Sequence, residues 1–382
     1  MSRDRIINVN LPSGEHYDIR VGSGALAALS STARELKSCR KAVVISDENV
    51  GPAYGKLVKK RLEEAGFEVS DLLVPPGEPS KSIELASELW TALAQDGFSR
   101  NDLVVACGGG VVGDLAGFAA STFMRGLDII QVPTTLLAMV DSSIGGKTAV
   151  NLACGKNLVG TFHQPIFVCA DTRCLKTLLE EDWANGFAEI VKSSFIAPRR
   201  SFYEWMRNNA QGLLEHDIDL LTDAVYMTAE FKASVVAGDA HESGQRECLN
   251  YGHTLAHAIE TAAGYGTVSH GRAVAEGMRF AARLSVEVLG CDVSVVRATD
   301  ALLDELGLPE IPWVAPPERL FKLMKGDKKA RDGQIRFVLL HDIASWEVCA
   351  VPEETIIEHL QAWCAAKQRL IDTNGGKMWG QK

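Results

Sequence analysis

Five short apolar runs, separated by helix-patterned stretches, limit the folds open to the first half of this chain. The runs are residues 41–47 (KAVVISD), 68–75 (EVSDLLVP), 102–110 (DLVVACGGG), 128–134 (DIIQVPT) and 166–171 (IFVCAD). Most are apolar at nearly every position, so they predict strands buried on both faces. Residues 25–38, 54–66 and 82–97 lie between them and carry helical spacing of apolar residues. Strand–helix alternation predicts a parallel sheet with helices on both sides. Residues 8–24, with the turn Pro12–Ser13–Gly14, predict an opening hairpin.

The second half changes character near residue 175. Apolar spacing close to the helical period runs through residues 184–196, 219–238, 246–264, 271–290 and 297–307, and residues 334–348 predict one late hairpin. A chain of 382 residues exceeds what one core usually holds. The expected organisation is an α/β nucleotide-binding domain over 1–175, with a parallel sheet, followed by a mainly α-helical metal-binding domain over 176–370. The tail 371–382 (IDTNGGKMWGQK) has little to pack and is expected to fray.

Charge narrows the function. The net charge is -10, which disfavours nucleic acid and membrane surfaces as partners. The first residues lack the apolar core of a secretion signal, and no run approaches the length of a membrane span. Nine cysteines, an odd number, form no C-x-x-C pair and sit mostly in apolar runs. Reduced thiols and a cytoplasmic home are expected.

Gly108-Gly109-Gly110-Val111-Val112-Gly113-Asp114 follows a buried strand and opens a helix. Such a turn lets the backbone approach a pyrophosphate, and the helix N-terminus offers free N–H groups with a positive dipole end. Alone it is a weak signal, since a tight structural turn needs glycine too. Residues 46–49 (Ser-Asp-Glu-Asn) and 76–81 (Pro-Gly-Glu-Pro-Ser-Lys) also follow strands, placing three polar strand ends where parallel sheets bind ligands.

His253 and His257 lie one helical turn apart, with Asn250 one turn earlier. No His-Glu-x-x-His occurs there, which disfavours a metalloprotease helix. His270 stands just before another helix, and Glu189 lies in a largely apolar helical segment with Lys192 one turn on. A glutamate and two histidines form a catalytic zinc pattern, and spacing leaves open which two of the three histidines take part. Lys147 and Lys156 sit in glycine-flanked segments read as loops, while Lys192 and Lys232 fall inside apolar helices. Arg125 follows a helix and Arg246 precedes the histidine helix. Such a set of cations suits a substrate bearing phosphate and carboxylate.

GGGVVGDLAGFAAS, MRG, QVPTTLLAMVDSSIGGKTAVN, GKNLVGTFHQP, FAEIVKSSFI, LNYGHTLAHAIE and HGRAVAEGM together resemble the sugar phosphate cyclases, and among them the 3-dehydroquinate synthase family. The resemblance runs in order from about residue 5 to 360. It implies a nucleotide-binding domain and a helical metal domain, and conversion of 3-deoxy-D-arabino-heptulosonate 7-phosphate to 3-dehydroquinate and phosphate. It implies NAD, used and regenerated in each turnover through oxidation, phosphate elimination, re-reduction, ring opening and aldol closure. Zinc or cobalt would be held by Glu189, His253 and His270, leaving His257 to the substrate. Arg125, Asp141, Lys147, Lys156, Asn157, Lys192, Lys232, Asn250 and His257 match substrate-contacting positions, Glu242 and Arg246 belong to the same site, and Lys328 or Lys329 matches a late lysine. Asp47, Asn49, Glu78, Lys81, Gly109, Gly110, Val111, Asp114, Thr134 and Thr135 match the NAD-binding set, to which Asp141, Lys147 and Lys156 also contribute. A homodimer is implied as well. Two departures from the family pattern stand out, Ala240 in GDAHESG and Arg272 in HGRAV, and the C-terminal extension lies beyond the family core. The competing readings are a cyclase for another sugar phosphate and an NAD- and metal-dependent alcohol or glycerol dehydrogenase.

Overall fold

The computed structural model describes residues 4–36, 40–240, 244–264, 266–326 and 334–380. The chain divides into two compact units. The first comprises Met1–Trp183 with Ile218–His241, and the second Ala184–Asp217 with Glu242–Lys382.

The first unit opens with the hairpin β1 (Arg5–Asn10) and β2 (His16–Gly22). There follow α1 (Leu29–Arg34), β3 (Lys41–Asp47), α2 (Lys56–Ala65), β4 (Glu68–Val74), α3 (Ile83–Gln95), β5 (Leu103–Gly108), α4 (Gly110–Thr122) and β6 (Asp128–Pro133). A second hairpin, β7 (Lys147–Leu152) and β8 (Gly155–Phe162), precedes β9 (Phe167–Asp171). The main sheet has the order β1-β2-β9-β6-β5-β3-β4 and is parallel except for β1. The five strands read from apolar runs are all present, and β5 is buried at every residue. Chain order reverses between β3 and β5, since β4 lies outside β3 while β6 and β9 continue beyond β5. Open parallel sheets bind ligands beyond the carboxyl ends of strands at such a point.

Local chemistry sets these boundaries. Ser82 caps α3 by accepting from the Leu85 N–H, and Gly66 ends α2 in the left-handed region. Val43, Ile45, Val104 and Ala106 form one core with Leu89 and Leu93 of α3 and Leu115 and Ala119 of α4. Lys147 and Lys156 lie on strands β7 and β8, not in loops. Their glycines had suggested turns, whereas pairing of β7 with β8 holds both segments extended.

The chain crosses from the first unit to the second within α5 (Glu180–Ile196). The second unit contains the rest of α5, α6 (Arg200–Leu214), and then, after α7 (Ile218–Gly238) of the first unit, α8 (His253–Ala263), α9 (His270–Leu289), α10 (Val293–Glu305) and α11 (Pro317–Gly326). The hairpin β10 (Arg336–Asp342) and β11 (Ser345–Ala350) and the helix α12 (Glu353–Thr373) complete it. Helix α9 is the centre: Ala273 through Ala282 are all buried, and the Ser285 hydroxyl accepts from the Leu340 N–H of β10. Helices α6, α11 and α12 had no counterpart in the periodicity reading. In the tail, Ile371 is buried and the Trp379 N–H donates to the Pro312 carbonyl.

Candidate metal and dinucleotide sites

Three helices of the second unit meet where their backbones come closest. A Cβ built on Gly277 of α9 would lie 1.8 Å from the Gly252 carbonyl oxygen, and one on Gly271 would lie 2.3 Å from the Ala184 carbonyl oxygen. Only glycine permits such approaches. Gly252 directly precedes His253, and Gly271 directly follows His270. The close contacts therefore bring the first residues of α8 and α9 beside Glu189 of α5.

The Glu189, His253 and His270 donor atoms lie within 4.8 Å of one another. Glu189 Oε1 is 3.5 Å from Nε2 of both histidines. That oxygen is buried and makes no hydrogen bond among the described residues. The other oxygen, Oε2, accepts from the Lys192 ammonium one turn on. A buried carboxylate oxygen facing two imidazole nitrogens fits a divalent metal of borderline softness. Among the three histidines, His257 stays outside this group. Its ring packs edge-on against His253 at 5.5 Å between centroids.

Electrostatics agree with the geometry. Burial alone would raise the Glu189 carboxyl, but Lys192 and His270 override it and bring it down to about 2. Burial would lower His270, yet Glu189 and Glu260 carry it up to about 10 in the metal-free protein. Glu260 Oε2 lies 3.5 Å from His270 Nδ1. The sequence reading did not include it. Its signal was its place two turns beyond His253, on the same face of α8. A carboxylate on the far nitrogen of a ligating histidine orients the ring.

Other residues of the predicted set lie in the same unit. Arg246 is buried at 2% exposure, and Asn250 closes a short 3-10 turn ahead of α8. Glu242, Lys328 and Lys329 lie outside the described residues.

The first unit gathers a second group at the carboxyl edge of its sheet. Asp47 ends β3, Glu78 follows β4, Gly109 and Gly110 follow β5, and Thr134 and Thr135 follow β6. The free N-terminus of α4, with Val111 in its first turn, therefore lies at the switch point between β3 and β5. The Thr134 hydroxyl is buried without a hydrogen-bond partner among the described residues, an orphan suited to a ligand. These features fit a dinucleotide. The glycines also answer to packing: a Cβ on Gly109 would press the Thr135 methyl at 2.9 Å, and one on Gly117 the Thr148 methyl at 2.3 Å.

Lys81 ties this group together. Its buried ammonium donates to Asp114 Oδ2 and to Asn157 Oδ1, both at 2.6 Å. Burial pushes the Asp114 carboxyl up, and Lys81 works against that. Glu78 accepts from Asn151 at 2.8 Å and lies 3.9 Å from Lys156. Asn151 was missed from sequence, because only the pairing of β7 with β8 places it there. Lys232 of α7 donates to the Asp141 carboxylate at 2.5 Å and to its carbonyl at 2.7 Å. Asp47 spends one carboxylate oxygen on the Asn49 and Val50 N–H groups. Lys147 is exposed at the start of β7. Arg125 stands apart: it lies past the far end of α4, about 20 Å of helix from the glycine turn. It and Met124 both take positive φ, 72° and 50°.

Solved structures sharing this fold include 2-deoxy-scyllo-inosose synthase complexed with carbaglucose-6-phosphate, NAD+ and Co2+. It has a TM-score of 0.82 and 27% identity, covering 94% of this chain and 99% of that one. The 2-epi-5-epi-valiolone synthase of Streptomyces hygroscopicus subsp. jinggangensis 5008, with NAD+ and Zn2+ bound, has a TM-score of 0.82 and 26% identity over 92% and 97% of the two chains. The fold is thus that of the sugar phosphate cyclases. Within that class, the family model for the 3-dehydroquinate synthase N-terminal region matches residues 71–185, and the C-terminal one residues 186–330. The 3-dehydroquinate synthase of Rhodopirellula baltica (strain DSM 10527 / NCIMB 13988 / SH1) is 45% identical over 327 residues, 85% of this chain and 87% of its own length. The chain belongs to the 3-dehydroquinate synthase family. Among the described residues, no helix is long and apolar enough to cross a membrane.

Proposed function

We propose that this protein acts as a 3-dehydroquinate synthase, a phosphate-eliminating carbon–oxygen lyase that converts 3-deoxy-D-arabino-heptulosonate 7-phosphate to 3-dehydroquinate and phosphate. The observation that carries this is the 45% identity to a curated 3-dehydroquinate synthase over most of both chains, against 26–27% to cyclases of other products. The Glu189–His253–His270 group supports a zinc or cobalt site, and the switch-point crevice supports NAD. When bound, the metal supplies Lewis-acid polarisation of substrate hydroxyls, and NAD supplies a reversible hydride acceptor.

The chain's own residues do the rest. In the second unit, Lys192, Arg246, Asn250 and His257 offer cations and donors for substrate oxygens, to which Lys328 or Lys329 would add a further cation and Glu242 an acceptor for substrate hydroxyls. In the first unit, Lys147, Lys156, Asn157 and Lys232 do the same for phosphate and carboxylate charge, while Arg125, past the far end of α4, is carried into the set by its family motif alone. Asp141 holds the Lys232 ammonium in place through two hydrogen bonds. Lys81 keeps Asp114 oriented beside the glycine turn. Asp47, Asn49, Glu78, Gly109, Gly110, Val111, Thr134 and Thr135 would line the nucleotide. Orientation and water exclusion account for most of what the protein adds. A homodimer is the assembly this reading carries. The eight described cysteines are free and mostly buried, in keeping with a reducing cytoplasm.

The test follows phosphate, 3-dehydroquinate and reduced NAD together, with zinc or cobalt supplied. Equal phosphate and 3-dehydroquinate with no net reduced NAD is the expected result. Reduced NAD accumulating without phosphate would move the protein to the dehydrogenases. Turnover of a sugar phosphate lacking the carboxylate, and not of the heptulosonate, would assign a different cyclase.

A further inference from the structure

Helix α9 starts with a metal-ligand candidate and without a cap of its own. Ser269 stands at the N-cap position, yet its hydroxyl is buried and makes no hydrogen bond among the described residues. The first turn of α9 must therefore be held by other means. One is visible in α5, where Asn185 Oδ1 accepts from the Gly271 N–H at 2.8 Å.

The other comes from the C-terminus. The Trp379 ring covers the Arg272 guanidinium, 4.6 Å from ring centroid to carbon. Arg272 Nη1 is buried and makes no hydrogen bond among the described residues, so the ring face is its principal compensation. Next along, Gly380 lies against Thr267: a Cβ there would approach the Thr267 methyl at 2.5 Å. The tail is itself anchored, because the Trp379 N–H donates to the Pro312 carbonyl at 2.7 Å. The neighbouring Ile311 N–H donates to Glu276 Oε1 on α9. Trp379 and Gly380 thus grip the residues on both sides of His270 from a point fixed to the same helix.

We propose that Trp379 and Gly380 brace the segment 267–272 and so hold His270 toward Glu189 and His253, which makes Trp379 a positioning residue for the metal centre. This rests on the metal reading given above. Rigid support of a ligand segment raises metal affinity, and loss of such support around a ligand costs about tenfold or more. Because Trp379 touches the ligand segment and not the ligand, a loss of about threefold to tenfold is expected.

The experiment uses the full chain with Trp379→Ala, Trp379→Phe and a truncation after residue 374. Zinc affinity is measured by competition with a chelator, and the melting midpoint of each metal-free protein is measured alongside. Expected are weaker zinc binding in Trp379→Ala and the truncation, near wild-type binding in Trp379→Phe, and metal-free midpoints within a degree or two of wild type. Unchanged zinc affinity in both Trp379→Ala and the truncation would overturn the brace. A fall in metal-free stability matching the loss of affinity, with no rescue by phenylalanine, would overturn it too and leave an ordinary packing role. If the wild-type chain itself binds no zinc, the metal reading fails first, and that outcome is distinct from either.

Discussion

Lys192 sits one helical turn beyond Glu189 on α5 and binds the carboxylate oxygen that faces away from the histidines. Both side chains are nearly inaccessible. Glu189 thus has a resident cation on one side and a place for a second on the other. Breaking a buried ion pair by removing one partner costs about 3–5 kcal/mol, because the remaining charge is stranded. Lys192→Met should therefore destabilise the metal-free protein by up to that amount, since the His270 imidazolium, carried up to about 10, stays 3.5 Å from Glu189 and offsets part of the loss. Zinc should restore much of the loss, since it offers Glu189 another cation. Denaturant unfolding of metal-free and zinc-loaded protein checks this. An equal penalty in both states would show that no metal reaches Glu189. Chelation of the wild type should likewise lower its melting midpoint.

The approach of α9 to Gly252 gives a second prediction. The atom that a Cβ on Gly277 would meet is a backbone oxygen, which cannot swing aside. Gly277→Ala must then separate α9 from the residue preceding His253, at a cost of about 3 kcal/mol. The same shift moves His253 away from Glu189, so zinc affinity should fall even under conditions where the variant is folded. A variant with lower stability and wild-type zinc affinity would show that the ligands do not depend on this contact.

Lys81 gives a third. Its ammonium is shared by Asp114 in the first turns of α4 and Asn157 on β8. Lys81→Met leaves Asp114 with burial and the nearby Glu78 and Asp141 charges, all of which drive its carboxyl further up and toward the protonated form. The turn at the switch point then loses its charged anchor. NAD binding should weaken about tenfold, the scale of one hydrogen bond to a charged group. A fluorescence titration measures it, with far-ultraviolet circular dichroism as the check on folding.

The centre of the sheet was legible because β3, β5, β6 and β9 are buried on both faces, so their apolar runs needed no partner to be recognised, while β4, at the edge, is mostly exposed or half-buried. The hairpin β7–β8 was not, because its strands carry glycines, lysines and asparagines that sequence assigns to turns. Pairing between the two strands supplies what local propensity lacks. Glu189 and the histidines could be picked out as residue types, yet three histidines remained open on spacing alone. The choice comes from the approach of α8 and α9 at Gly252 and Gly277, which is long-range information. Glu260 acquires its role only through that packing, and Asn151 acquires its own only through the pairing of β7 with β8. Arg272 reads in sequence as a departure from the family pattern and the tail as an extension beyond the family core, and the structure brings the two into contact.

The last prediction concerns acid stability. Asp102 lies just before β5 and is 6% exposed. Its carboxylate accepts from the Ser99 N–H at 2.8 Å, the Ser99 hydroxyl at 2.9 Å and the Lys41 N–H at 3.1 Å. Burial alone would raise its pKa, but these hydrogen bonds outweigh burial and hold it below the ordinary 3.8. A carboxyl depressed in the folded state stabilises the fold fully above its unfolded value, and that contribution is lost as the pH falls through the folded one. Asp102→Asn removes the titration and replaces a charged acceptor with a neutral one, costing about 1–2 kcal/mol at neutral pH. The difference in unfolding free energy between wild type and variant should stay constant from pH 7 down to about 5 and shrink below 3.8. Urea unfolding across that range measures it. A difference that stays constant through pH 3 would mean that the charge on Asp102 contributes nothing to holding β5 against β3.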